Sequence, residues 1–204
     1  LVFASTGGAL YGEVAEGQAA GEDWPAHPMS PYACSKASFE YYLRALGQTE
    51  GLRYTTLRYA NVYGPRQNPH GEAGVVAIFL QRLLRQQPIQ VNARSVEGDE
   101  GCVRDYVYVR DVVRANLAAF DGALDGRTIN IATGEPTSTR ALAGRLGELV
   151  GEPAVIGDGP HRAGDLERSV LDPSVMVSIL GDPTPLDRGL SATTEWFREH
   201  AGSP

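Results

Sequence analysis

The sequence predicts an α/β fold built on a mainly parallel sheet, and three observations carry that expectation. Short apolar or β-branched runs take turns with longer segments of helical spacing along the whole chain. Several of these runs empty into Gly, Pro, Asn or Ser/Thr clusters, as buried parallel strands do where they deliver ligand-binding loops. With 204 residues, 42% of them hydrophobic and 21% charged, the chain is long and apolar enough to bury a sizeable core.

Taken in order, Leu1-Val2-Phe3-Ala4 reads as a buried strand stopped by Ser5-Thr6-Gly7-Gly8. A strand at the very start, with no Met before it, suggests a polypeptide that starts further upstream. Residues 13 to 31 show no sustained period and read as a surface loop. Ser30 fits an N-cap and Pro31 a first helical residue, and Phe39, Tyr42, Leu43 and Leu46 follow at helical spacing. The expectation is a helix over 31–49, closed by Gly51. Tyr54 to Tyr59 is β-prone and runs into the turn-rich Asn61-Val62-Tyr63-Gly64-Pro65. A helix carrying Val75, Val76, Phe79, Leu80, Leu83 and Leu84 comes next, then a strand at 89–91, an extended run from Cys102 to Tyr108, and a helix from Asp111 to Phe120. Thr128 to Ile131 reads as a strand. Leu142, Leu146 and Leu149 mark a helix capped near Thr137 or Ser138, and residues 173 to 204 read as two short helices.

Composition excludes several classes. A net charge of −7 leaves no surplus of Lys and Arg for a nucleic-acid footprint. No apolar run reaches 18 residues, so no transmembrane helix is expected, and the first residues lack the pattern of an export leader. Cys34 and Cys102 stand in neither a CxxC nor a metal-ligand spacing and read as small buried hydrophobes in a reducing cytoplasm. His27, His70, His161 and His200 show no ligand spacing, so no metal site is expected.

The chemistry centres on Tyr32-Ala33-Cys34-Ser35-Lys36. A Tyr and a Lys four apart on a helix project from one face. A phenol has a reference pKa near 10, and a nearby ammonium favours its ionised form. Tyr32 is therefore a candidate to exchange a proton with a substrate hydroxyl, and Ser5 and Thr6, upstream at a strand end, are candidates to bond both that substrate oxygen and the phenol. Arginines arriving in separate loops suit a diphosphate, because the guanidinium presents a planar fork to phosphate oxygens. Arg104 and Arg162 are of this kind. Asp105 follows Arg104 directly, so an ion pair is an alternative for the first, and a turn-supporting role is an alternative for Asn61.

A strand-end hydroxyl followed by Tyr-x-x-x-Lys at a helix start resembles the triad of the short-chain dehydrogenase/reductase superfamily. The likeness extends over Phe3 to Glu13, Ser30-Pro31-Tyr32, Ser35-Lys36, Leu57 to Arg66 and Val103 to Val112, in family order, from residue 1 to about 172. It is to the extended, NAD-dependent epimerase/dehydratase branch, of UDP-glucose 4-epimerase type. The resemblance implies a Rossmann-like parallel sheet and a small mixed α/β substrate-binding lobe. Residues 1–70 would be the later part of an NAD-binding domain with the catalytic groups, and 71–204 mainly the nucleotide-sugar lobe, with 102–135 returning partly to the first domain. It further implies that Tyr32 is the acid/base, that Lys36 supports it and binds the nicotinamide ribose, and that Ser5 and Thr6 contact substrate and phenol. Tyr59 would lie near the nicotinamide, and Asn61, Arg104, Arg162 and Asp165 would hold the nucleotide-sugar.

Two departures qualify these expectations. Dehydratases of this branch carry an acidic pair after the loop Thr, whereas this chain has Gly7-Gly8, which disfavours dehydration. The family's Gly-rich phosphate cradle is not found in the 204 residues; neither Gly7-Gly8 nor Gly71-Glu72-Ala73-Gly74 has its pattern. The expectation is accordingly an N-terminally truncated, NAD-dependent UDP-hexose 4-epimerase, a cytoplasmic homodimer in its complete form, with the 204 residues alone catalytically silent. The alternatives are another nucleotide-sugar reductase or decarboxylase of the same family, or a non-catalytic fragment.

Overall fold

A computed structural model describes residues 1–70, 74–162 and 164–200. Gly71, Glu72 and Ala73 of the second Gly-containing stretch, Ala163 of the Arg162-to-Asp165 turn, and the tail 201–204 lie outside the described residues. In chain order the elements are β1 (Val2–Thr6), α1 (Gly7–Leu10), α2 (Pro31–Glu50), β2 (Thr55–Tyr59), β3 (Asn61–Tyr63), α3 (Val75–Leu84), β4 (Ile89–Asn92), β5 (Val103–Tyr108), α4 (Val109–Phe120), β6 (Thr128–Ile131), β7 (Pro136–Ser138), α5 (Thr139–Val150), β8 (Ile156–Gly159), β9 (Arg168–Ser169), α6 (Ser174–Leu180) and α7 (Leu186–His200). The fold is α/β with parallel sheets.

β1, β2 and β6 form a three-stranded parallel sheet in which Ser5 pairs with Arg58 and Leu57 with Ile129. Successive side chains of a strand leave opposite faces. On β2, Arg58 turns to Glu40 of α2 while Tyr59 turns to Asn116 of α4, so a helix covers each face. Leu57, Ile129 and Ile131 build the first core with Leu10, Val14, Ala115, Leu171 and Met176. A second core gathers Val76, Phe79 and Leu80 of α3, Leu142 and Leu146 of α5, and Leu190 and Phe197 of α7 around β4.

β5 is shared between the two cores. Val107 enters the first core, while Tyr106 and Tyr108 enter the second. The same alternation sends Arg104 to one side and Asp105 to the other. β5 runs parallel to β3 and β9 and antiparallel to β7. α4 and β6 contribute to the first core, and so do Leu171 and Met176, which the sequence had grouped with the second lobe. A bridge between Ala20 and Leu171 draws that later segment across.

Local signals explain the elements that position the catalytic groups. The Ser30 hydroxyl accepts from the Ala33 N–H at 3.1 Å, Pro31 follows at the first helical position, and Gly51 takes the left-handed φ of 68° that ends α2. β3 was expected as a turn; the run Asn61-Val62-Tyr63 is held extended by in-register pairing with Tyr106, Val107 and Tyr108. α7, expected to be short, spans 15 residues because Leu186, Leu190 and Phe197 all reach the second core.

Candidate active site

One cavity of about 780 Å³ lies where the two packing units meet. Thr6 at the end of β1, Gly8 of α1, Tyr32 at the start of α2, Asn61 of β3, Gln90 and Asn92 of β4, Arg104 and Tyr106 of β5, and Arg162 and Asp165 all line it. Residues far apart in sequence thus share one volume, as the strand-end argument requires.

Tyr32 is 53% exposed, so its phenol is open to the cavity. Lys36, one turn along α2, places its ammonium 5.7 Å from the Tyr32 ring centroid and donates to the Ala4 carbonyl at 2.8 Å. An ammonium has three N–H donors, so two are left for a diol or a phenol. The Tyr32 hydroxyl makes no hydrogen bond to Ser5 or Thr6 within the described residues; Thr6 and Tyr32 both line the cavity.

Two other tyrosines line the cavity, and burial separates them from Tyr32. Tyr106 is 3% exposed and its phenol is pushed up to about 12 by desolvation. Tyr63, 1% exposed, is also raised by burial, with nearby negative charge adding to the effect, and its hydroxyl donates to the Leu186 carbonyl. Both phenols therefore stay protonated well above neutral pH. Tyr32 is the exposed tyrosine among the described residues that line the cavity.

Ser5 and Tyr59 stand apart from this group. The Ser5 hydroxyl is buried and donates to Glu40 Oε1 at 2.5 Å, because strand alternation turns it towards α2. It does not line the cavity, and a direct contact with substrate is replaced by a bond inside the protein. Tyr59 leaves β2 on the α4 side, where its hydroxyl exchanges hydrogen bonds with Asn116 at 2.8 and 3.1 Å, and burial raises its phenol. Of the two glycines, Gly8 lines the cavity with space for a side chain, whereas Gly7 packs on Leu171.

The polar side of the cavity is built from Asn61, Arg104, Arg162 and Asp165. The Asn61 Nδ2 is buried without a hydrogen-bond partner, a donor poised for a ligand acceptor. Arg104 bonds its own neighbour's carbonyl, Val103 O, at 2.9 Å and pairs with no carboxylate among the described residues. Asp105 accepts from the Thr133 N–H and hydroxyl and from the Gly134 and Leu171 N–H groups on the far side of β5, which removes the ion-pair alternative. Asn92, with its amide oxygen turned inwards, accepts from Arg162 Nε at 2.7 Å and from the terminal nitrogen at 3.2 Å. Asp165 closes the 162–165 turn through its N–H to the Arg162 carbonyl. Asp165 is the one carboxylate among the described residues that line the cavity.

Gln90, Asn92, Cys102 and Thr139 also line it and were not anticipated. Strand alternation offered one signal: Gln90 and Asn92 alternate with the apolar Ile89 and Val91, so they share the face opposite the core.

The sequence profile of the NAD dependent epimerase/dehydratase family matches residues 1–132. The chain is 41% identical over 200 residues to the UDP-glucose 4-epimerase of Mycolicibacterium smegmatis, covering 97% of this chain and 62% of that one. It superposes with a TM-score of 0.92 on the crystal structure of the Thermus thermophilus UDP-glucose 4-epimerase complexed with NAD, at 50% identity, covering 100% of this chain and 64% of that one. The Thermotoga maritima UDP-glucose 4-epimerase with UDP-glucose gives a TM-score of 0.86 at 46% identity, over 97% and 63% of the two chains. The chain therefore spans just under two thirds of the length of these relatives. With the strand-end Thr, the Tyr-x-x-x-Lys helix and the shared fold on one chain, this protein belongs to the NAD dependent epimerase/dehydratase family.

Proposed function

We propose that the protein is an NAD-dependent nucleotide-sugar epimerase that inverts C4 of a UDP-hexose through a 4-keto sugar. The observation that carries the reading is the single cavity that joins the exposed Tyr32 phenol and Thr6 to the unpartnered Asn61 amide and to two arginines that have no carboxylate partner among the described residues. Arg104 and Arg162 would bind the diphosphate, and Asn61 would donate to a sugar or phosphate oxygen. Tyr32 takes the C4 hydroxyl proton at its phenol oxygen and returns it after the sugar has turned; Thr6 holds the same substrate oxygen. NAD, when bound, supplies the hydride acceptor and donor for C4. Lys36 and Tyr32 fit the ribose diol, since two ammonium donors and an exposed hydroxyl stand together there.

The lone Asp165 supports epimerisation over dehydration, because removing water across C5 and C6 needs an acid and a base beside the ketone and the cavity wall near Thr6 offers no carboxylate among the described residues. Phe39, Tyr41, Tyr42 and Leu46 are exposed on α2, which supports a homodimer formed on that helix. No described helix is long and apolar enough to cross a membrane, which fits the cytoplasmic location that we propose. The deciding test is incubation of NAD and UDP-galactose with an enzyme that carries this segment together with a Gly-rich NAD cradle, with UDP-glucose scored as product. Appearance of a 4-keto-6-deoxy sugar instead would make it a dehydratase, and no turnover of any UDP-hexose would end the epimerase reading.

A further inference from the structure

Tyr32, Lys36 and Glu40 recur every fourth residue and so form one stripe along α2. Two successive turns of that stripe grip two successive residues of β1. Lys36 donates to the Ala4 carbonyl at 2.8 Å, and Glu40 accepts from the Ser5 hydroxyl at 2.5 Å. Thr6 follows Ser5 at the strand end and Tyr32 stands at the start of the stripe, and both line the cavity.

Glu40 is itself fixed. Its carboxylate takes Arg58 Nε and the terminal nitrogen in a bidentate pair, the shorter contact 2.6 Å, with both side chains at least 86% buried. The second terminal nitrogen of Arg58 donates to the Tyr11 hydroxyl and the Glu22 carbonyl, and Tyr11 donates to Asn130 on β6. A charge pair this far from water is poor evidence for stability, since an apolar pair of equal volume commonly serves as well. What it provides is a fixed geometry, and this one sits directly behind the strand end that carries Thr6.

We infer that Glu40, locked by Arg58, is a positioning residue that sets the separation of the Thr6 and Tyr32 hydroxyls through its bond to Ser5. The inference rests on the proposed epimerase reading only for its kinetic test. Ser5 then matters to catalysis without touching substrate. A misplacement of about 1 Å in such a pair costs roughly 100-fold in rate, and productive geometry tolerates only about 0.5 Å.

Ser5→Ala tests the bond while leaving the Arg58–Glu40 pair whole, so the variant should fold. In an enzyme that carries this segment together with a Gly-rich NAD cradle, the expected result is a kcat at least tenfold lower, with KM for the UDP-sugar within twofold and near-full recovery in Ser5→Thr. Leu146→Ala, a cavity in the second core away from the site, controls for lost stability; its folded molecules should keep their kcat. Crystal structures of wild type and Ser5→Ala give the readout that needs no activity, with the Thr6-to-Tyr32 hydroxyl separation expected to change by more than about 0.5 Å. An unchanged separation, or a kcat loss no larger than the Leu146→Ala protein shows, overturns the assignment. If that enzyme without the substitution turns over no UDP-hexose, the functional reading fails and the measured separation still decides this one.

Discussion

Arg104 and Asp105 are neighbours in sequence, yet they serve opposite sides of β5. Arg104 faces the cavity, while Asp105, 1% exposed, gathers N–H groups from Thr133, Gly134 and Leu171. Substitutions should separate the two roles. Asp105→Ala leaves those buried donors without an acceptor and is expected to cost about 3 kcal/mol of stability, read as a lower midpoint in urea. Arg104→Ala should keep that midpoint and lose roughly 10- to 100-fold in affinity for UDP, the worth of one charge-assisted bond. Calorimetric titration of UDP decides the second outcome.

Tyr32→Phe removes the one cavity tyrosine whose hydroxyl is open to substrate. In an enzyme that carries this segment together with a Gly-rich NAD cradle, epimerisation should slow by at least about 100-fold while the UDP-sugar still binds, because only proton transfer is lost. Equal turnover would move the acid/base role elsewhere. Lys36→Ala should weaken both NAD retention and rate; a protein that loses only one of them would refute the double role.

Asn92 lies beside Arg162, and turning its amide so that the oxygen faces the guanidinium gives it two hydrogen bonds from Arg162. Asn92→Ala frees the guanidinium, so KM for the UDP-sugar should rise about tenfold with kcat held, the signature of lost uniform binding. Steady-state kinetics at saturating NAD provide the check, and a fall in kcat alone would contradict it.

Alkaline unfolding should reflect the buried phenols. The Tyr106 phenol titrates near 12 in the folded protein against 10.0 for an ordinary tyrosine. A group raised on folding contributes stability that is complete below pH 10 and is lost as pH climbs from 10 towards 12. Two units correspond to about 3 kcal/mol. Tyr106→Phe should flatten that part of the stability curve, measured by urea unfolding at successive pH values. A curve as steep as wild type would show that Tyr106 ionises freely in the fold.

Most of the fold was legible because its signals are local. Ser30-Pro31 and Gly51 bracket α2, the helical spacing of Val75 to Leu84 marks α3, and Thr128 to Ile131 reads as the strand it forms. What escaped depends on partners distant in sequence. Ile156-Gly157-Asp158-Gly159 has little strand propensity and is extended only by pairing with β4. Gly7 to Leu10 coils into a short helix that two glycines at its start would not suggest. Within the site, helical spacing joined Tyr32 to Lys36; Tyr32 lines the cavity and the Lys36 ammonium stands 5.7 Å from its ring centroid. Ser5 and Thr6 looked interchangeable as hydroxyls; only the pairing of β1 with β2, and the docking of α2 behind them, tells which one reaches the cavity.

The seam between the first loop and the last strand also bears on how the chain must fold. Val14 N–H meets Arg168 O, Ala20 N–H meets Val170 O, Asp172 N–H meets Ala20 O, and the Arg168 guanidinium reaches the Val14 carbonyl from 154 residues away. Leu171 sits in the same core as Leu10 and Val14. Closing so long a loop must come before its contacts can reward it, which slows folding in proportion to contact separation. On a ribosome, the segment around Leu10 and Val14 would wait with its apolar face open until the segment around Leu171 emerged, so the first core closes only after that later segment is made.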